Sequence, residues 1–182
     1  MNNYLNHCRM KNLIIKPAGI DDVDVLRTIG IRTFSEAFAD KNTEDDMAAY
    51  FKKAFTSQRI EAELRGPEVQ FHLAVTNQHI IGYMKINAGD AQSEALGAKH
   101  MEIERIYVVA EAQKHGIGQI LLDEALCIAR NDGARILWLG VWEHNPGAIR
   151  FYERNGFVAF GRQDFMLGND RETDVLMRRR IE

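Results

Sequence analysis

Two glycines two residues apart constrain this chain most. Gly116 and Gly118 sit in Gln113-Lys114-His115-Gly116-Ile117-Gly118, between an apolar run and a helical pattern. Met101–Val109 alternates and is β-branched, which predicts a strand. Ile117, Leu121, Ala125 and Ile128 recur at helical spacing, so Gly118–Asn131 reads as an amphipathic helix. Glycine lets backbone approach a ligand closely, and the first-turn N–H groups of a helix have no partner inside it. A phosphate or pyrophosphate fits such a joint. A Walker loop is absent. The dinucleotide fingerprint fails because Leu121 stands where its third glycine belongs, and the loop lies past the middle of the chain. Taken alone, the glycine pair reads first as an ordinary strand-to-helix turn.

The C-terminal half changes that balance. Ile136–Trp142 is a second buried strand. It leads into Asn145-Pro146, a cap followed by a residue suited to the first helical position. The helix carries Ala148, Ile149, Phe151 and Tyr152 and stops at Gly156. Phe157–Met166 and Thr173–Arg178 are further strands. In the N-terminal half, Leu13–Lys16 is a strand, and Asp21-Asp22 caps a helix from Val23 to Phe38. Thr43 or Asp45 starts a second helix through Phe55, with Met47, Tyr50, Phe51 and Phe55 on one face. A third begins at Ser57 and stops at Gly66-Pro67. Val69–Thr76 and His79–Asn87 form a hairpin about Asn77-Gln78, and Ala88–Lys99 is a polar loop.

This order, with Q-x-x-G-x-G after one strand and N-P-x-A-x-x-F-Y-x-x-x-G-F after the next, resembles the GCN5-related N-acetyltransferase family from about Leu13 to Arg180. Ile86–Val109, Gln113–Gly118 and Trp138–Glu143 resemble more closely the spermidine/spermine N-acetyltransferases of the PaiA type. The resemblance implies one α/β domain over residues 11–182, with residues 1–10 an extension of uncertain role. Its central sheet would be mixed and mostly antiparallel, flanked by helices, with two splayed central strands, a β-bulge being one way to part them.

The resemblance also implies roles. Acetyl-CoA is the co-substrate. Gln113, Lys114, His115, Gly116, Ile117 and Gly118 match the pyrophosphate loop, where backbone amides matter more than side chains. Ile106, Tyr107 and Val108 match the strand that pairs with the pantetheine arm and supplies an oxyanion N–H. Asn145 matches a contact to that arm and is also a sufficient helix cap. Tyr152 matches the general acid, since a phenol with pKa near 10 suits a departing thiolate, although its helix alone suggests a core tyrosine. Glu102 and Glu104 lie two apart on the site strand and so share a face; Glu104 is the candidate base, or both are exposed charges paired locally. Asp90 and Glu94 would add negative charge at the mouth, and Trp142 would line the acceptor site or the core.

The implied activity is direct acetyl transfer to a primary amine, with a polyamine leading. The alternatives are transfer to a protein N-terminus, an amino acid or an aminoglycoside, or a non-catalytic acyl-CoA-binding regulator. Related folds often dimerise, so a homodimer is implied too.

Composition bounds the rest. At 182 residues and net charge −3 the chain has length for one core but no basic face for nucleic acid. The longest apolar run, Ile136–Trp142, is too short to span a bilayer. Met1–Met10 lacks a signal-peptide core, which makes the cytoplasm the default expectation. Cys8 and Cys127 are too few for a disulfide framework, and Cys127 is expected as a small packing residue rather than a nucleophile. The six histidines show no ligand spacing, so no metal is expected.

Overall fold

The structure, a computed structural model, describes residues 12–94, 96–97, 99–167 and 170–182. The expected extension at 1–10 lies outside them. The strands are β1 (Ile14–Pro17), β2 (Val69–Thr76), β3 (His79–Ala88), β4 (His100–Val108), β5 (Ile136–Trp142), β6 (Val158–Leu167) and β7 (Asp170–Arg180). The α-helices are α1 (Val23–Phe38), α2 (Glu44–Ala54), α3 (Ser57–Arg65), α4 (Ile117–Asn131) and α5 (Pro146–Arg154).

Local chemistry explains most of these limits. Asn77 and Gln78 both take positive φ, 47° and 67°, the mirror-image turn whose twist suits a two-residue hairpin between β2 and β3. Thr43 caps α2 by accepting from Asp46 N at 3.2 Å, and Asn145 caps α5 by accepting from Ala148 N at 3.0 Å. Asp22 departs from expectation. Its carboxylate turns back to Gly19 N at 3.0 Å and Lys16 Nζ at 3.2 Å instead of capping α1.

The seven strands form one sheet in the order β1-β2-β3-β4-β5-β7-β6. Every neighbouring pair is antiparallel except β4 and β5. A parallel pair needs a long crossover, and α4 supplies it. One face of the sheet carries α4 and α5 over a core that includes Leu121, Leu122, Ala125 and Leu139. The other carries α1, α2 and α3 over a core that includes Leu26, Phe34, Phe55 and Leu73. Cys127 points outward from α4 and is exposed, not packed.

Two irregularities shape the centre. β4 and β5 pair only at His100–Ile136, Met101–Leu137 and Glu102–Trp138; β4 then runs on to Val108 and β5 to Trp142 without meeting. Between β3 and β4 the register shifts: Lys85 opposes Arg105 but Ile86 opposes Ile103. Glu104 is therefore the extra residue of a β-bulge. Ile103 stays in the α4-side core, while Glu104 and Arg105 both serve the α1–α3 side, Glu104 bonding Lys85 and Arg105 lying over Phe55. β7 also starts earlier than expected, at Asp170 rather than Thr173. No helix among the described residues is long and apolar enough to cross a membrane.

Gly30 on α1 is a tight point. A Cβ there would lie 2.3 Å from the buried Phe55 ring. Overpacking costs about 1–3 kcal/mol, and so close a clash belongs near the top of that range, above the ~1 kcal/mol that alanine gains in helix propensity. Gly30→Ala should therefore lower the unfolding free energy in urea. The loss should shrink in a Phe55→Leu background; equal losses in both backgrounds would separate Gly30 from the ring.

Candidate active site

The loop ahead of α4 is built as an anion cradle. Lys114 and Gly116 take positive φ, 62° and 81°, so successive N–H groups turn to one side. The first amide with a helical partner is Ile120 N, which donates to Gly116 O at 3.1 Å. Among the described residues no acceptor pairs with the N–H groups of 114–119. The loop's own side chains brace it: Gln113 Nε2 donates to Val108 O at 3.1 Å, and His115 Nδ1 donates to Gln113 O at 2.7 Å. α1 anchors it from outside through Glu36, which accepts from Ala110 N at 2.7 Å, and through the Arg32–Glu111 ion pair. The Ile117 side chain enters the core, so only its backbone faces the loop. Lys114 is exposed.

The divergence of β4 and β5 opens a cleft of about 960 Å³. Ile106, Tyr107, Asn145, Trp142 and Tyr152 line it, so these expected residues come together. The cleft joins both sides of the sheet. Ile106 and Val108 pack with the α4-side core, and Tyr107 with the α1–α3 side. Tyr152 enters from α5, with burial raising its pKa so that the phenol stays protonated. Trp142 is 8% exposed. Its Nε1 donates to Glu172 Oε2 at 2.7 Å, and the Lys41 ammonium lies 4.1 Å from the ring centroid.

Of the acidic residues expected near the acceptor, Glu102 and Glu104 line the cleft and Asp90 and Glu94 do not. Asp90 sits on an exposed turn, and Glu94 accepts from Gln163 Nε2 at 2.7 Å. Glu102 is buried and receives Ser93 N at 2.7 Å, the Ser93 hydroxyl, and Asn87 Nδ2 at 3.1 Å. Burial raises its pKa against those bonds. Asn87 Nδ2 also reaches Glu104 Oε2 at 2.7 Å, so the two carboxylates do converge. Glu104 further pairs with Lys85 Nζ at 2.5 Å and Arg105 Nη2 at 3.3 Å. Burial pushes its pKa up, but the charges of Arg105 and Lys85 and the hydrogen bonds from Lys85 and Asn87 outweigh it and hold it low. Those surroundings run against the proton-accepting role that the sequence assigns to Glu104.

Sequence reading missed three cleft features: Arg105, Lys41 and Asp174. Asp174 lies on β7 opposite Trp142. Its carboxyl is pushed up to about 7 by burial and by the like charge of Glu172. Only the strand register reveals it. No cluster of three or more His, Cys, Asp or Glu able to hold a metal occurs among the described residues.

Unpaired amides past the end of β4, a gap between β4 and β5, and a buried phenol lining that gap are the elements of the site. The chain matches the model of the Acetyltransferase (GNAT) family over residues 31–157. It is 33% identical over 92% of its length to an uncharacterized N-acetyltransferase of the pepI 3′ region in Lactobacillus delbrueckii subsp. lactis, covering 98% of that protein. The chain belongs to the GNAT family of acetyltransferases. Its fold is similar to a PaiA N-acetyltransferase from Thermoplasma acidophilum in complex with coenzyme A, with TM-score 0.75, 20% identity, and 93% and 99% of the two chains covered. It is also similar to the ribosomal-protein-S18-alanine N-acetyltransferase from Escherichia coli, with TM-score 0.69, 18% identity, and coverage of 93% and 94%.

Gly118 gives a clean test of the cradle, because nothing lies within 4 Å of a Cβ built there. Gly118→Val should fold normally, yet place a branched side chain where phosphate must reach the amides. Calorimetry should show coenzyme A binding weakened tenfold or more, about 1.4 kcal/mol. Unchanged affinity in the folded variant would remove the assignment.

Proposed function

We propose that this acetyltransferase moves the acetyl group of acetyl-CoA onto a primary amine of a small molecule, by direct attack within a ternary complex. The observation that carries this reading is the gap between β4 and β5, which leaves one edge of β4 unpaired beyond Glu102 on the strand that leads into the amide cradle, with Tyr152 lining the cleft beside it.

Each part of the site then has a task. The amides of 114–119 hold the pyrophosphate. The free edge at Ile106–Val108 pairs with the pantetheine arm, and one of its N–H groups meets the carbonyl oxygen as it gains charge. Asn145 Oδ1 is taken up by its cap, so a contact to the arm falls to the rest of that side chain. The neutral amine nitrogen attacks the thioester carbon and a C–N bond forms. The C–S bond then breaks, and the thiolate takes the Tyr152 proton. The nitrogen's surplus proton restores the phenol.

A polyamine is the acceptor that the resemblance favours. Phe38, Tyr50 and Trp142 along the cleft support an alkylammonium through their ring faces. A second reading has its own observation. Lys41 and Lys53 line the cleft, exposed, with no carboxylate partner among the described residues. That favours an amine bearing an anionic group, such as an amino acid. Acetyl-CoA consumption across spermidine, spermine, an uncharged-tail monoamine and amino acids decides between them. Equal efficiency on spermidine and the monoamine would defeat the polyamine reading, and no turnover with any amine would defeat the enzymatic one.

Tyr152→Phe keeps the ring and its packing but loses the hydroxyl. Turnover should fall by roughly 10²-fold or more, with little change in acetyl-CoA affinity. Near-normal turnover with chemistry limiting would return Tyr152 to a packing role.

A further inference from the structure

Resting on that reading, we propose that Asp174 is the base that takes the proton from the acceptor's ammonium group, directly or across one water.

Three observations place it there. First, Asp174 lines the cleft on the acceptor side. It pairs with Trp142 across β5–β7, and Trp142 touches Phe38 and Lys41 at the end of α1. Tyr152 enters from the opposite, α5 side. The acid thus lies with the donor thioester and the base with the incoming amine.

Second, the neighbouring strand makes room for it. A Cβ at Gly140 would lie 2.8 Å from Asp174 Oδ2, so any other residue there would crowd the carboxylate.

Third, Asp174 is chemically available. No N–H or O–H among the described residues donates to it, whereas Glu102 and Glu104 are each taken up by several donors. Its ionisation near neutrality suits proton transfer at that pH.

The step balances. The ammonium N–H bond breaks, its proton passes to an Asp174 oxygen, and the nitrogen keeps the electron pair that attacks the thioester carbon. Asp174 later releases the proton to water. The net products are the acetamide, free thiol and one proton.

The charged and titratable groups around Asp174 are known. Glu172 on β7 raises it, and Tyr107 on β4 senses it. Glu102, Glu104 and Arg105 share the cleft. Lys41 and His144 lie against Trp142. Glu172 is useful because Glu172→Gln removes its charge while keeping an acceptor for Trp142 Nε1.

The experiment is kcat/KM against pH for wild type, Asp174→Asn, Glu172→Gln and His144→Gln, with melting curves and coenzyme A titrations as folding controls. Well below pH 7 Asp174 is protonated and accepts nothing, so the wild type should be half-maximal near pH 7, level off about one unit higher, and hold that plateau until the amine itself deprotonates, near pH 10. Asp174→Asn should lie roughly 10²-fold lower at neutrality and climb without a plateau as free amine appears. Glu172→Gln should move the acidic limb to lower pH, and His144→Gln should keep it in place. Any of three results overturns the proposal: a folded Asp174→Asn with the wild-type profile, a limb that vanishes with His144, or a limb unmoved in Glu172→Gln. The Glu172→Gln result stands even if Asp174→Asn fails to fold. Absence of wild-type turnover on every amine overturns the transferase reading itself, a distinct outcome.

Discussion

The interruption of one parallel strand pair organises this molecule. β4 and β5 are joined for three residue pairs and then part. Continued pairing would satisfy more backbone groups, so something must hold them open. The bulge at Glu104 does part of this by kinking β4, and an ion-pair network fixes the bulge. Lys85, 3% exposed, bridges Glu63 of α3 at 2.9 Å and Glu104 at 2.5 Å. Removing one partner of a buried pair typically costs about 3–5 kcal/mol, because the other charge is stranded. The network thus ties the shape of the cleft to the packing of α3, away from any substrate.

Burial acts on three cleft acids with different outcomes because their partners differ. Glu104 has cations beside it and stays charged. Asp174 has only a like-charged neighbour and rises to about 7. Tyr152, with burial alone acting, rises and stays a proton donor. The two carboxyls thus diverge through their neighbours, while the phenol is kept protonated by burial.

Sequence made the scaffold legible where the signal was local. The limits of α1 and β5 follow from periodicity and β-branching, Asn145-Pro146 marks the start of α5, and Asn77-Gln78 marks the hairpin. The resemblance reached the splay between the central strands. What stayed hidden depends on register. Alternation placed Glu102 and Glu104 on one face, but with the inserted residue Glu104 meets Lys85 and Arg105 while Glu102 meets Ser93, and only Asn87 reaches both. Asp90 and Glu94 are near Glu102 and Glu104 in sequence, yet they lie off the cleft wall that the latter two line. Asp174 carries no motif, and it matters only because β7 inserts between β5 and β6 and sets it opposite Trp142. Cys127 reads as packing by type, yet its position on α4 faces solvent.

The same register limits what the cleft can recognise. Most of its charges neutralise one another: Arg59 with Glu63, Lys85 with Glu63 and Glu104, Arg105 with Glu104. Of the rest, Glu102 is saturated by Ser93 and Asn87. An incoming molecule therefore meets Asp174 inside the cleft and Lys41 and Lys53 where it is exposed, against an aromatic wall. Such a field orients a ligand with one ammonium inward and negative charge outward. A second ammonium on a long acceptor would face the lysines unless the chain folded back along the rings. Discrimination among amines would then come from what the distal end carries, because the reacting end meets the same carboxylate in every case.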